Sequence, residues 1–314
     1  MARESPGPPI PTPYLLLVVA VLCWAGNFVV GRVVHTDIPP ITLTFWRWAV
    51  AGAALLPFAA RPLWTYRSVA LKHWRLLLVL ASTGVVLFHV LVYASLRSTT
   101  ATNAVLIMAT FPVVVPIISL VLDGVGVTRR QAFGIAISLA GVAVVVVRAD
   151  FAVLADFRPA PGDLLMLLAV PMWALYTVLL RRLPATLPPL AMLLAVTAIG
   201  LVLLLPAYAW EFLAVGGIAL GPANIVSIAY VGLFASVISY ICWNRAVAQV
   251  GANKAGLFIH LMPVFSTLLA IVFLGEVLKP FHFAGIALIG TGLYLTTSAR
   301  SPKAEPSKDV IRSR

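Results

Sequence analysis

Sliding the 314-residue sequence along itself by 151 positions lays Pro112 on Pro263, Ala101 on Ala252, Ala104 on Ala255 and Gly124 on Gly275, with no gap. The same offset sets Gly134 on Gly285 and Gly141 on Gly292. The chain is therefore two copies of one unit, and its fold must accommodate both. The anchor of the second copy is 252–276, ANKAGLFIHLMPVFSTLLAIVFLGE. At about 1.5 Å per residue this stretch is long enough to cross a bilayer as a helix. It carries Pro263, and Asn253, His260 and Thr267 recur every seven residues, which returns them to one helical face. A spanning helix with one polar face needs something polar to face.

Composition identifies the solvent. The chain is 61% hydrophobic and 10% charged, with a mean hydropathy of +1.03, whereas a soluble domain carries about 25% charged residues. A net charge of +12 raises nucleic acid as a partner. The basic residues lie between apolar blocks rather than in one patch, so membrane lipid is the expected partner and nucleic acid is not. Cys23 and Cys242 fall inside apolar blocks and are too few for a disulfide framework or a zinc site. They read as small core residues, and no metal or cofactor is expected.

Bilayer-length blocks of about 20 residues fall at 14–34, 41–60, 76–97, 101–122, 131–148, 163–181, 190–210, 223–244, 252–275 and 281–298. The first is longer than the ~7–15 residues of a signal-peptide core and reads as an uncleaved span. Most of the 22 Lys and Arg residues lie on one side if both termini are cytoplasmic, among them Arg61, Arg67, Lys72, Arg75, Arg129, Arg130, Arg181, Arg182 and Arg245. Five spans per copy is an odd number, so the copies must be inverted. Loops matched by the offset differ in charge accordingly: Arg129 and Arg130 align with Pro280 and Phe281. Arg97, aligned with Ala248, departs from that pattern. The first spans match at an offset of 149, with Trp24, Ala25 and Arg32 on Trp173, Ala174 and Arg181. A two-residue difference in one loop reconciles the offsets.

The expectation is an all-α polytopic membrane protein with ten transmembrane helices as two inverted five-helix repeats around a central cavity. Its parts are a disordered leader (1–13), a first repeat (14–148), a linker (149–162), a second repeat (163–298) and a basic cytoplasmic tail (299–314). Pro112 and Pro263 each remove a backbone donor and kink matched helices. Arg47 is the one charge well inside a span, where an arginine costs about 2.5–3.5 kcal/mol. It either faces the cavity or snorkels to the headgroups.

His89, Tyr93 and Arg97 repeat every four residues on the third span, as do Ser236, Tyr240 and Asn244 on the eighth. The offset puts His89 on Tyr240 and Tyr93 on Asn244. Trp24 with Asn27, and Trp173 with Tyr176 and Thr177, add aromatic and polar groups on the first and sixth spans. The expected substrate cavity is thus Trp24, Asn27, Arg47, His89, Tyr93, Trp173, Tyr176, Tyr240, Asn244 and His260. Either histidine could couple transport to protons. Gly134, Ser138 and Gly141, with Gly285 and Gly292, make small faces that let helices approach closely.

Catalytic patterns such as G-x-S-x-G, H-E-x-x-H and the P-loop are missing, and the acidic residues are expected outside the spans. This weighs against an enzyme. A membrane-embedded enzyme or lipid-handling protein is the alternative reading, and a non-transporting scaffold would fill its polar stripes with other side chains.

With WAGNF in the first span, FWRW in the second and HLMPVFSTLLAIVFLGE in the ninth, the chain resembles the drug/metabolite transporter superfamily, specifically its EamA-type branch, over roughly 14–298. The first copy has Gly124-Val125 where the second has Gly275-Glu276, so a paired role for the glutamate does not carry over. The resemblance implies ten helices, a cavity lined by both halves, and alternating access that exports small molecules such as amino acids from a bacterial inner membrane. The protein would act as a monomer or weak homodimer.

Overall fold

A computed structural model describes residues 13–34, 37–147, 160–218, 221–274 and 279–298. The expected leader and tail, most of the expected linker, and Gly275-Glu276 lie outside the described residues. The described chain is helical, without strands among these residues. We label its helical runs α1 (Pro13–Val34), α2 (Pro40–Thr65), α3 (Trp74–Ser95), α4 (Ala101–Met108 and Phe111–Asp123) and α5 (Arg129–Val146). The second copy supplies α6 (Pro161–Arg182), α7 (Pro189–Val215), α8 (Pro222–Val250), α9 (Ala252–Leu257, Phe258–Leu261 and Met262–Leu274) and α10 (Pro280–Ser298). Seven of them, α2 to α8, are long and apolar enough to cross a membrane. A short helix not expected from sequence, Arg67–Lys72, joins α2 to α3.

Local chemistry sets the ends. Pro40, Pro161, Pro189 and Pro222 open their helices, where a missing N–H costs nothing. Thr128 and Gln131 close a reciprocal capping box at the start of α5. Gly124, at φ 67°, ends α4 in the left-handed conformation, and the Val125 N–H reaches back to the Ser119 carbonyl at 3.2 Å. With the Gly124 N–H bonded to the Leu120 carbonyl at 3.0 Å, this is an αL stop, which glycine adopts without a Cβ penalty. Two acidic side chains correct the sequence expectation, because they are buried within long helices and tie backbone together. Glu211 of α7 accepts from the Thr42 N–H at 2.6 Å and its hydroxyl at 2.7 Å, capping the start of α2. Asp163 of α6 accepts from the Ala160 N–H at 2.8 Å, from Thr99 Oγ1 and from Asn103 Nδ2 at 3.3 Å.

The two copies pack as an interlocked pair: α2 lies on α7, α5 on α10, α1 on α8 and α9, and α6 on α3 and α4. The glycines on α5 and α10 show how they are related. A Cβ on Gly134 would stand 2.8 Å from the Gly292 carbonyl oxygen, and one on Gly141 would stand 2.8 Å from that of Gly285. The offset pairs Gly134 with Gly285 and Gly141 with Gly292, so the contacts are crossed, as a two-fold relation between inverted repeats requires. The backbones approach as closely as they do because no side chain intervenes. Cys23 and Cys242 are half-buried free thiols.

Candidate functional site

Two helices at the centre depart from α geometry at matched places. α3 contains a π turn over Ala81–Leu87, and α8 contains one over Leu233–Ile238, so the offset nearly superimposes them. A π turn shifts the backbone ladder by one residue and is a frequent mark of functional sites. Here both turns present a carbonyl to the opposite half. The Gly84 carbonyl accepts from Tyr240 Oη, and that of Ala235 accepts from Trp24 Nε1 at 3.0 Å and from Arg47 Nη2 at 3.1 Å. Gly84 and Ala235 are offset mates, so the latch is made twice. Two further helices break beside their prolines: α4 pauses at Ala109 and Thr110 before Pro112, and α9 tightens into a 3-10 turn, Phe258–Leu261, before Pro263.

Arg47 sits at the middle of this region with 0% of its surface exposed, so it does not snorkel. Its Nε donates to Ser236 Oγ at 2.9 Å, and Nη1 donates to Tyr93 Oη at 2.7 Å and to Asn27 Oδ1 at 3.4 Å. Its Cζ lies 5.7 Å from the Trp48 ring and 5.8 Å from the Tyr93 ring, within cation–π range. Hydrogen bonds offset the cost of burying the guanidinium, yet all four bonding partners are neutral. A buried charge held only by dipoles retains most of its attraction for an anion.

An aromatic cluster closes over the arginine. Trp24 meets Trp173 edge-on at 5.2 Å, Phe88 stacks on Trp173 at 5.1 Å, Trp173 stacks on Tyr176 at 4.9 Å, and Trp48 meets Tyr240 edge-on at 5.0 Å. Between Trp24, Asn27, Arg47, His89, Trp173 and Tyr240 is a chamber of only about 20 Å³. A single water needs about 10–15 Å³ on this measure, so a metabolite enters only if the helices part.

The expected cavity residues thus divide. Those six line the chamber. Tyr93, Tyr176 and Asn244 stand behind it: Tyr93 bonds Arg47 and Asn27, and Tyr176 Oη donates to Asn244 Oδ1 at 3.1 Å. His260 lies outside it, where its ring nitrogens meet Ser138 Oγ at 2.7 Å and the Ala109 carbonyl at 2.9 Å. Sequence reasoning missed Trp48, Phe88, Trp243 and the two methionines Met108 and Met262 that complete the wall and its surroundings. Their apolar character made them indistinguishable from lipid-facing side chains. Among the described residues no three His, Cys, Asp or Glu side chains come together to hold a metal ion.

Comparisons with known proteins agree on one kind of molecule. The profile of the EamA-like transporter family matches residues 11–147 and again 160–298. An uncharacterized transporter of Archaeoglobus fulgidus is 30% identical over 296 residues, covering 91% of this chain and 97% of its own. The uncharacterized transporter YyaM of Bacillus subtilis is 26% identical, covering 92% and 95%. A protein of Streptantibioticus cattleyicolor named "Probable terminal-alkyne amino-acid exporter" is 29% identical, covering 89% and 91%. A solved crystal structure superimposes with a TM-score of 0.73 at 21% identity, covering 91% of this chain and 96% of its own, a likeness of fold.

Proposed function

We propose that this chain, which belongs to the EamA-like transporter family, is a secondary transporter that carries a small amphipathic metabolite, an amino acid or related compound, out across a bacterial inner membrane by alternating access. In this reading all ten helical runs cross the bilayer, and both termini are cytoplasmic because the basic connections α2–α3, α4–α5 and α6–α7 share one side. The observation that carries the proposal is Arg47, a fully buried cation with only neutral hydrogen-bond partners at the wall of an aromatic chamber built by both halves. A substrate carboxylate replaces the Asn27 and Tyr93 dipoles on the guanidinium, while the faces of Trp24, Trp173 and Tyr240 take its apolar or cationic end.

Opening to one side and then the other falls to the irregular backbone: the breaks before Pro112 and Pro263 and the paired π turns absorb the change in helix direction. Protons are the proposed coupling ion, with His89 the histidine on the chamber wall. The relative named as an amino-acid exporter supports this substrate class.

Flux into proteoliposomes tests the assignment, with a panel of amino acids and related metabolites presented with and without a pH gradient. We expect saturable uptake of at least one compound and its loss in Arg47→Met. A panel in which nothing moves, or flux that survives Arg47→Met, overturns it.

A further inference from the structure

Apart from the chamber and sharing no residue with it, the end of α2, the short helix Arg67–Lys72, the start of α3 and the first part of α7 enclose a groove of about 450 Å³. That is within the ~300–1,000 Å³ usual for small-ligand sites. Leu77 and Leu194 form its buried floor, while Leu56, Leu71, Trp64 and Trp74 are exposed along it. In water such a surface would mark a protein contact. On a membrane protein such a surface is open to acyl chains.

The mouth of the groove is cationic. Arg67 lines it, anchored by Nη1 donating to the Trp64 carbonyl at 2.9 Å, with its Cζ 4.6 Å from the Trp64 ring. Arg75 leans on Trp74 in the same manner at 5.5 Å, and Arg61 and Lys72 are exposed in the same connection. The sequence has no Asp or Glu between Asp37 and Asp123, so nothing on α2, α3 or the helix joining them neutralises these four. Tryptophans beside cations at helix ends are placed at headgroup depth. Leu56, eight residues before Trp64 on α2 and so ~12 Å further along that helix, gives the groove the direction of a lipid tail.

We propose that this groove binds one anionic glycerophospholipid, its acyl chain against Leu71, Leu77 and Leu194 and its phosphate on Arg67. A zwitterionic headgroup would bring an ammonium into a site that already holds four cations, and the anionic lipid avoids that repulsion. The inference needs only that the chain resides in a bilayer, and it stands or falls apart from transport.

The test is native mass spectrometry of the full-length protein released from detergent, after equilibration with phosphatidylglycerol or phosphatidylcholine of identical acyl composition. The wild type should retain one phosphatidylglycerol in preference to phosphatidylcholine. Arg67→Gln should lower that preference about fivefold, the ratio for one cation near an anionic surface, while Arg129→Gln, remote from the groove, should not. Ala198→Trp keeps all four cations and fills the groove, and it should abolish retention of either lipid. Elution as one monodisperse peak shows that each variant is folded. Equal retention of both lipids by the wild type, unchanged preference in Arg67→Gln, or unchanged retention in Ala198→Trp each overturns the site.

Discussion

His260 hydrogen-bonds through Nε2 to the carbonyl oxygen of Ala109 at 2.9 Å, and Ala109 is the residue that holds the position of His260 in the other copy. Two residues related by the repeat can touch only close to the axis that relates the halves, so this bond marks the axis. The carbonyl accepts only, which places a proton on Nε2; in the neutral ring this leaves Nδ1 to accept from the Ser138 hydroxyl at 2.7 Å. One imidazole thereby joins α9 to α4 and α5.

Removing that imidazole should loosen the centre of the bundle. We expect His260→Ala to cost about 2–4 kcal/mol, since it leaves a cavity and two buried polar groups without partners. Ser138→Ala should cost about 1 kcal/mol, and a double-mutant cycle followed by thermal unfolding in detergent should show the two coupled. Additive costs would mean that the bond contributes nothing.

Gly141 and Gly290 make a matched pair of probes. A Cβ on Gly141 would stand 2.8 Å from the Gly285 carbonyl, whereas one on Gly290 meets nothing within 4 Å. Gly141→Ala should destabilise by about 1–3 kcal/mol through forced separation of α5 and α10. Gly290→Ala should be neutral or stabilising by up to about 1 kcal/mol, as alanine is the better helix former. Equal melting temperatures for the two variants would contradict the crossed glycine contact.

At the π turns, Tyr240→Phe deletes the bond to the Gly84 carbonyl and keeps the ring packing. Amides of residues 81–87 should exchange with solvent about tenfold faster, corresponding to roughly 1.4 kcal/mol of lost local protection. If exchange there is unchanged, the tyrosine does not hold the turn.

Glu211→Gln keeps the shape of the cap on α2 and removes its charge. The loss of charge-assisted bonds to Thr42 should cost about 1–2 kcal/mol, read as a lower melting temperature and faster exchange at the start of α2. No change in either would show that the amide caps as well as the carboxylate.

Arg47 separates charge from hydrogen bonding. In the proposed role, Arg47→Lys should retain folding but lose at least ~10-fold in flux efficiency, because an ammonium cannot reach Ser236, Tyr93, Asn27 and the Ala235 carbonyl together. Lysine flux equal to arginine flux would make the site a simple positive charge.

The sequence by itself determined the repeat, the helical class, the small faces of α5 and α10, and the helices that would bring Trp24, Arg47, His89, Trp173 and Tyr240 inward. These are properties of order along the chain: a lipid solvent demands apolar runs of fixed length, and a gap-free offset is visible without coordinates. Only the tertiary structure decided that His260 turns away from the chamber, that Arg47 is held by Ser236 and the Ala235 carbonyl, and that the aromatic rings leave room for little more than a water. Those facts depend on how far each helix is rotated and slid against helices as many as 211 residues away. They also depend on two π turns that re-aim carbonyls without any residue type to announce them. Apolar periodicity fixes which face of a helix turns inward to within a side chain or two, and a hydrogen bond requires a few tenths of an ångström.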